Sequence, residues 1–326
     1  MRRVRGVSTP PLVTRADIEA AATRIAGAVR RTPLVPTQLG RADAPLWLKA
    51  ESLQLGGSFK LRGATNAVAL LNDEERSRGV VTHSSGNHAQ ALARAARDAG
   101  IAVTIVMPTQ APAVKRAATE ALGATVVVVD SSERAAVTEQ IRAETGAVFV
   151  PPFDHPAIIA GQGTVGLEIA EDLADVTTVL VPVSGGGLIS GIAAALKSVN
   201  PHVRVVGVEP ELAGDLAEGF AAGHPVTWSS DRTGRTIADG LRVTAVGDLN
   251  WHHIRALVDD VVTVTEDEIR AAMRSTILEA KLVCEPSGAV AVAGYLAHTD
   301  CVEAGSAVAV LSGGNVEPSL VREVLG

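Results

Sequence analysis

Aromatic residues make up only 2% of the 326-residue chain, which removes the stacking platforms that single-stranded nucleic acid needs. Positive charge is not in excess either. The formal net charge is −7, the wrong sign for nucleic acid or an anionic membrane as the main partner. Cysteine is nearly absent: Cys284 and Cys301 build neither a disulfide framework nor a zinc site and read as buried thiols. Long apolar runs are missing. Stretches such as TVVVV (125–129) and VAVL (308–311) have strand length, far short of a membrane span. The basic start, MRRVRGVSTPPLVTRADIEAA, lacks an apolar segment of secretory-signal length, so the expected location is the cytoplasm.

What is present is 47% hydrophobic content and a length suited to about two domains. Short β-branched runs alternate with alanine-rich helical stretches between residues 79 and 150: four strands and three helices, the rhythm of a parallel sheet. PPFDHP (151–156) breaks the rhythm and reads as a domain boundary. A second α/β block follows, with strands at 177–183, 203–210 and 307–311. A helix at 265–281 opens with the capping box Thr265/Glu268. The helix expected over 14–29 is assigned to this second sheet, and 219–250 reads as a long loop of the kind that often carries function.

Four stretches carry chemistry. In GGSFKLRG (56–63), Lys60 is a lysine in an arginine-rich chain, behind two glycines. In PVSGGGLISG, a strand ends at Val183 and three glycines lead into a helix. Backbone N–H groups and the helix dipole there suit a phosphate, although a tight βα turn would use the same glycines. In HSSGNHAQ (83–90), two hydroxyls at a helix N-terminus suit a carboxylate, although a simple N-cap needs only one serine. In LSGGN (311–315), a serine stands at another strand end. GQGTVG (161–166) has dinucleotide spacing but follows prolines rather than a strand. No acid ends the next strand, so it reads as close packing at a helix start. A lysine for an aldehyde, glycines for a phosphate, a carboxylate receptor and a polar group for a pyridine nitrogen together make the parts of a pyridoxal-phosphate enzyme.

SFKLRGA, SSGNHAQALA, IAGQGT, SGGGLISGIA, EPSGA and LSGGN stand in the order found in fold-type II pyridoxal-phosphate enzymes. From about residue 14 to 317 the chain resembles the serine/threonine dehydratases and serine racemases. The resemblance implies an α/β, tryptophan synthase β-like fold of two open parallel-sheet domains with pyridoxal 5'-phosphate in the cleft between them. Residues 1–76 and 151–326 would form the large domain and 77–150 a small mobile one. Lys60 would hold the cofactor aldehyde, with Phe59 beside the ring and Asn87 on the 3'-oxygen. Ser184, Gly185, Gly186, Gly187 and Leu188 would surround the phosphate, and Ser312 would face the ring nitrogen. Ser84, Ser85, Asn87 and His88 would hold the substrate carboxylate.

The resemblance further implies a Mg²⁺ or Ca²⁺ site at Glu209, the Ala213 carbonyl and Asp215, a homodimer, and a small hydroxy amino acid as substrate. The expected reaction is dehydration and deamination of L-threonine, L-serine or both. Racemisation, of serine or 3-hydroxyaspartate, is the alternative, with Ser85 acting opposite Lys60. Phe153 and Val243 stand where eukaryotic racemases carry asparagine and serine, which favours the dehydratase.

Overall fold

The computed structural model describes residues 11–111 and 113–326; the basic start of the chain lies largely outside them. The chain enters through helix α1 (Arg15–Ile25), strands β1 (Leu34–Pro36) and β2 (Leu46–Lys49), and helices α2 (Lys60–Ala69) and α3 (Asp73–Arg78). A compact βα series follows: β3 (Val80–His83), α4 (Asn87–Asp98), β4 (Val103–Pro108), α5 (Ala113–Glu120), β5 (Thr125–Val129), α6 (Arg134–Thr145) and β6 (Val148–Phe149). The return is α7 (Pro156–Asp172), β7 (Val176–Pro182), α8 (Gly187–Val199), β8 (Arg204–Pro210), α9 (Asp215–Ala222), α10 (Ser230–Thr233) and α11 (Asp248–Leu257). Last come β9 (Asp260–Val264), α12 (Glu266–Leu278), α13 (Pro286–Ala297), β10 (Ser306–Val310) and α14 (Pro318–Leu325).

Two sheets result. The smaller has the order β5-β4-β3-β6 and is wholly parallel, as the alternation between 79 and 150 predicts. The larger has the order β1-β2-β10-β7-β8-β9 and is parallel except at one edge, where β1 runs antiparallel to β2. Its central strands are apolar on both sides because helices cover both faces. α12 and α13 enclose one core with Leu46, Leu180, Val208 and Ala309; α7, α8 and α11 enclose the other with Val179, Val181, Val205 and Val308. None of the helices among the described residues is long and apolar enough to cross a membrane. Cys284 and Cys301 are free and buried, as expected.

Three expectations are corrected. The first helix ends at Ile25, where Gly27 takes φ +79, and it packs on α7 rather than on the sheet, with Ile18 against Gly163. GQGTVG lies inside α7 rather than at its start. A methyl group at Gly161 would stand 2.6 Å from the Gly63 Cα, and one at Gly166 would stand 2.8 Å from the Ala195 Cβ. These glycines let α2, α7 and α8 approach closely, which outweighs the roughly 0.5–1 kcal/mol that each costs inside a helix. The stretch 219–250 holds the end of α9, all of α10 and the start of α11. The capping box at Thr265/Glu268 forms as read.

Helix α2 is anchored on two sides. Its Leu61, Ala64 and Val68 join the core of the smaller sheet with Leu92 and Ile105, while Gly63 abuts α7. Arg62, wholly buried, pairs with Glu51 at 2.8 Å and with Glu168 at 2.6 Å; Lys49 also meets Glu168. The first turn of α2, with Lys60 at its head, is therefore held from both units.

Candidate active site

The two glycines before Lys60 have a backbone reason. Gly56 and Gly57 adopt φ +80 and +78, a region L side chains rarely enter. A Cβ on Gly57 would also stand 2.3 Å from Asn315 Oδ1. The turn folds the chain against the end of β10: Phe59 N donates to the Ser312 carbonyl at 3.1 Å and Gly314 N to that of Gly57 at 2.9 Å. Lys60, Phe59 and the LSGGN stretch are thus one neighbourhood, as the motifs require. The Lys60 amine donates to the Pro152 carbonyl at 2.7 Å and lies 5.1 Å from the Phe59 ring centroid. Burial lowers its pKa to about 8, so the amine loses its proton far more readily than in water.

The glycine turn after β7 presents an anion receptor. Gly185, Gly186, Gly187 and Leu188 are buried, and among the described residues their backbone N–H groups find no acceptor. Buried unpaired donors are costly unless a ligand takes them, and these stand at the N-terminus of α8. Phosphate fits that donor set. Ser184 turns its hydroxyl inward, accepting from Val243 N at 3.2 Å. The Phe153 ring lies on the turn, 2.3 Å from where a Gly185 Cβ would be. Pro152 and Phe153 therefore connect the lysine to the cradle.

A third wall comes from the smaller sheet. At the end of β3, Ser84 Oγ accepts from Gly86 N at 3.3 Å and α4 begins at Asn87. The N–H groups of Ser85, Asn87 and His88 have no acceptor among the described residues, which suits a carboxylate. The His88 ring does not take part. Its Nε2 meets the Val150 carbonyl at 3.0 Å, and burial, with Lys60 nearby, lowers its pKa to about 3, so it is neutral. His83 stacks on Phe149, 5.5 Å between ring centroids.

The side chain of Asn87 crosses to the larger unit. Its Nδ2 donates to Glu285 Oε1 at 2.7 Å, and its Oδ1 accepts from Asn315 Nδ2 at 2.8 Å. Sequence reasoning missed Glu285 as a site residue, although it opens EPSGA. Burial, then Asp239, pushes its carboxyl up to about 8. An acid in an otherwise apolar stretch is the signal that could have found it. Ser312 is buried, its hydroxyl 3.4 Å from the Ser287 carbonyl.

Glu209, Ala213 and Asp215 stand at and just past the end of β8, whose Val208 carbonyl accepts from Val183 N at 2.9 Å. Glu209 Oε2 accepts from Ala217 N at 2.8 Å, while Glu209 Oε1 and Asp215 Oδ2 are buried without partners among the described residues. Burial raises both carboxyls, Asp215 to about 7. Among the described residues no three His, Cys, Asp or Glu side chains converge as a metal cluster.

Comparison with known proteins agrees with this geometry. A family described as "Pyridoxal-phosphate dependent enzyme" matches residues 25–313. The chain is 43% identical to the catabolic L-threonine dehydratase TdcB of Escherichia coli K12, over 95% of each chain. It is also 43% identical to the L-threonine ammonia-lyase of Thermotoga maritima, over 96% of this chain and 78% of that one. Among solved structures, maize serine racemase superposes with a TM-score of 0.91 at 40% identity, covering 96% of this chain and 97% of that one.

Proposed function

Because the chain belongs to the pyridoxal-phosphate dependent enzymes, we propose that it is an ammonia-lyase that converts L-threonine, L-serine or both to ammonia and 2-oxobutanoate or pyruvate. One observation carries the reading: a half-buried lysine amine and four buried amides without acceptors among the described residues are bridged by Pro152 and Phe153. Pyridoxal phosphate, when bound, supplies an aldehyde for amines and a ring that draws electrons from the substrate α-carbon.

The chain's own residues do the rest. The Gly185–Leu188 amides hold the phosphate, and the amides of Ser85, Asn87 and His88, with the Ser84 and Ser85 hydroxyls, hold the substrate carboxylate. At pH 7 an amine of pKa about 8 is neutral in roughly a tenth of molecules, against about 0.03% at its ordinary value, so Lys60 is suited to remove the α-proton. When the cofactor is bound, Ser312 would face its ring nitrogen with a hydroxyl in place of an acid, which would leave that nitrogen neutral and favour departure of the substrate β-hydroxyl. The α-proton and that hydroxyl leave as water; the released enamine takes up water and yields ammonia and the 2-oxo acid.

A racemase is the second reading, favoured by the Ser85 hydroxyl beside the carboxylate receptor and by the likeness to maize serine racemase. Incubation with L-serine, D-serine, L-threonine and threo-3-hydroxyaspartate separates the two. Oxo acid from L-threonine or L-serine is expected. No oxo acid from any of the four removes the lyase, and D-serine forming faster than pyruvate promotes the racemase.

The same reading includes a divalent cation at Glu209, the Ala213 carbonyl and Asp215, supported by the two partnerless carboxylate oxygens; two carboxylates, a carbonyl and waters suit Mg²⁺ or Ca²⁺. It includes closure of residues 77–150 over the site, since the carboxylate receptor and Lys60 arise from different segments. It also includes a cytoplasmic homodimer.

A further inference from the structure

Nothing in the sequence motifs says what aims the four amides of the glycine turn. The turn is wedged against the start of α11. The Gly185 carbonyl accepts from Asn250 Nδ2 at 2.7 Å and from Gly247 N at 3.1 Å. In a trans peptide the carbonyl and the following N–H point in opposite directions. Holding the Gly185 carbonyl toward α11 therefore turns the Gly186 N–H away from α11, to the open side of the turn. Gly186 itself takes φ +91, and a Cβ there would stand 2.9 Å from the Asn250 Cβ.

Asn250 is wholly buried and is itself fixed from outside its helix. The Asp154 carboxylate accepts from the N–H groups of Asp248, Leu249 and Asn250 at 3.1, 3.0 and 3.3 Å, doing for α11 what an N-cap residue does in a local cap. The Ser190 hydroxyl, on α8, lies 3.4 Å from the Asn250 carbonyl. Asn250 thus reads the position of α11 and transmits it to one peptide group of the turn.

We propose that Asn250 is a positioning residue for phosphate binding, orienting the Gly185–Gly186 peptide so that its amide faces the anion, with Asp154 holding Asn250 in place. This rests on the reading of the turn as the phosphate cradle. The test compares the wild type with Asn250→Leu, similar in size but without the amide. Three probes are titrated into cofactor-free protein: inorganic phosphate, pyridoxal and pyridoxal phosphate. The release rate of pyridoxal phosphate from holoenzyme is followed by visible absorbance.

For Asn250→Leu, binding of inorganic phosphate and of pyridoxal phosphate is expected to weaken about tenfold, and cofactor release to quicken by a similar factor. Pyridoxal binding stays within about twofold. Asp154→Asn, which keeps one acceptor oxygen, is expected to show the same selective loss at about threefold, and it serves if Asn250→Leu does not fold. Equal loss of pyridoxal and pyridoxal phosphate would mean general damage and overturns the proposal, as does an unchanged phosphate affinity. A wild type that binds neither phosphate nor pyridoxal phosphate overturns the cradle itself.

Discussion

Burying the Lys60 amine should weaken the cofactor-free protein, and the size of the effect follows from its proton affinity. The amine titrates near 10.5 when exposed and near 8 in the fold. The folded state therefore binds fewer protons than the unfolded chain between pH 8 and 10.5, and stability rises with pH across that window. At pH 7 the penalty is about 3 kcal/mol, and by pH 10 it falls below about 1 kcal/mol. Lys60→Met removes the charge and keeps most of the side-chain volume, but leaves the Pro152 carbonyl without its donor, at about 1 kcal/mol. The variant, which has no amine to bond the cofactor, is expected to be more stable than the wild type by about 2 kcal/mol at pH 7, with the gain vanishing near pH 10. Urea unfolding of both cofactor-free proteins at the two pH values reads this directly. A variant no more stable at pH 7, or a gain that persists at pH 10, would refute the claim that desolvation tunes this amine.

Three further outcomes are expected. Glu285 titrates near 8 in the fold against 4.5 outside it, so its carboxyl makes the wild type lose stability as pH rises from about 5 to 8, by up to about 1.4 kcal/mol per pH unit; Glu285→Gln should remove that contribution from a pH series of melting temperatures, and an unchanged slope would show that the acid is not held neutral. Millimolar Mg²⁺ or Ca²⁺ should stabilise the wild type, by about 2.7 kcal/mol at a hundred times Kd, and leave Asp215→Asn unmoved; a wild type indifferent to both ions defeats the cation assignment. Gly56→Ala meets open space and should cost only the left-handed backbone strain of about 1–2 kcal/mol, whereas Gly57→Ala also displaces Asn315 and should cost more and weaken cofactor binding; equal effects would deny Asn315 its role.

The parts of this protein that can be read from sequence are those in which a pattern repeats locally. The smaller sheet is legible because runs such as TVVVV alternate with alanine-rich helices at a regular spacing. The glycine turn and HSSGNHAQ are legible because a strand end, small residues and a helix start occur together. Helix α7 escapes such reading for a physical reason. It is buried on nearly every side, so GQGTVG carries no polar stripe to reveal the helix around it. Glu285, Asp154 and Asn250 escape for another reason. Their partners, Asn87, the N-terminus of α11 and Gly185, lie 198, 94 and 65 residues away in the chain. No spacing rule links single polar residues across such distances; only the fold does. His88 is legible as a position but not as a function, since its amide faces the receptor while its ring serves Val150.

The tripeptide 152–154 shows why a boundary and a site can be the same residues. PPFDHP is where the chain leaves the smaller sheet and re-enters the larger one. There, the Pro152 carbonyl holds the lysine amine, the Phe153 ring covers the glycine turn, and the Asp154 carboxylate secures α11 and, through Asn250, the Gly185 carbonyl. A crossover is a segment that must shift whenever the two units move relative to each other. Placing the amine's acceptor, the cradle's cover and the cap of the supporting helix on that segment ties all three to the proposed closure of residues 77–150. The base and the phosphate anchor would then be adjusted together as the carboxylate receptor on the smaller unit closes on the substrate.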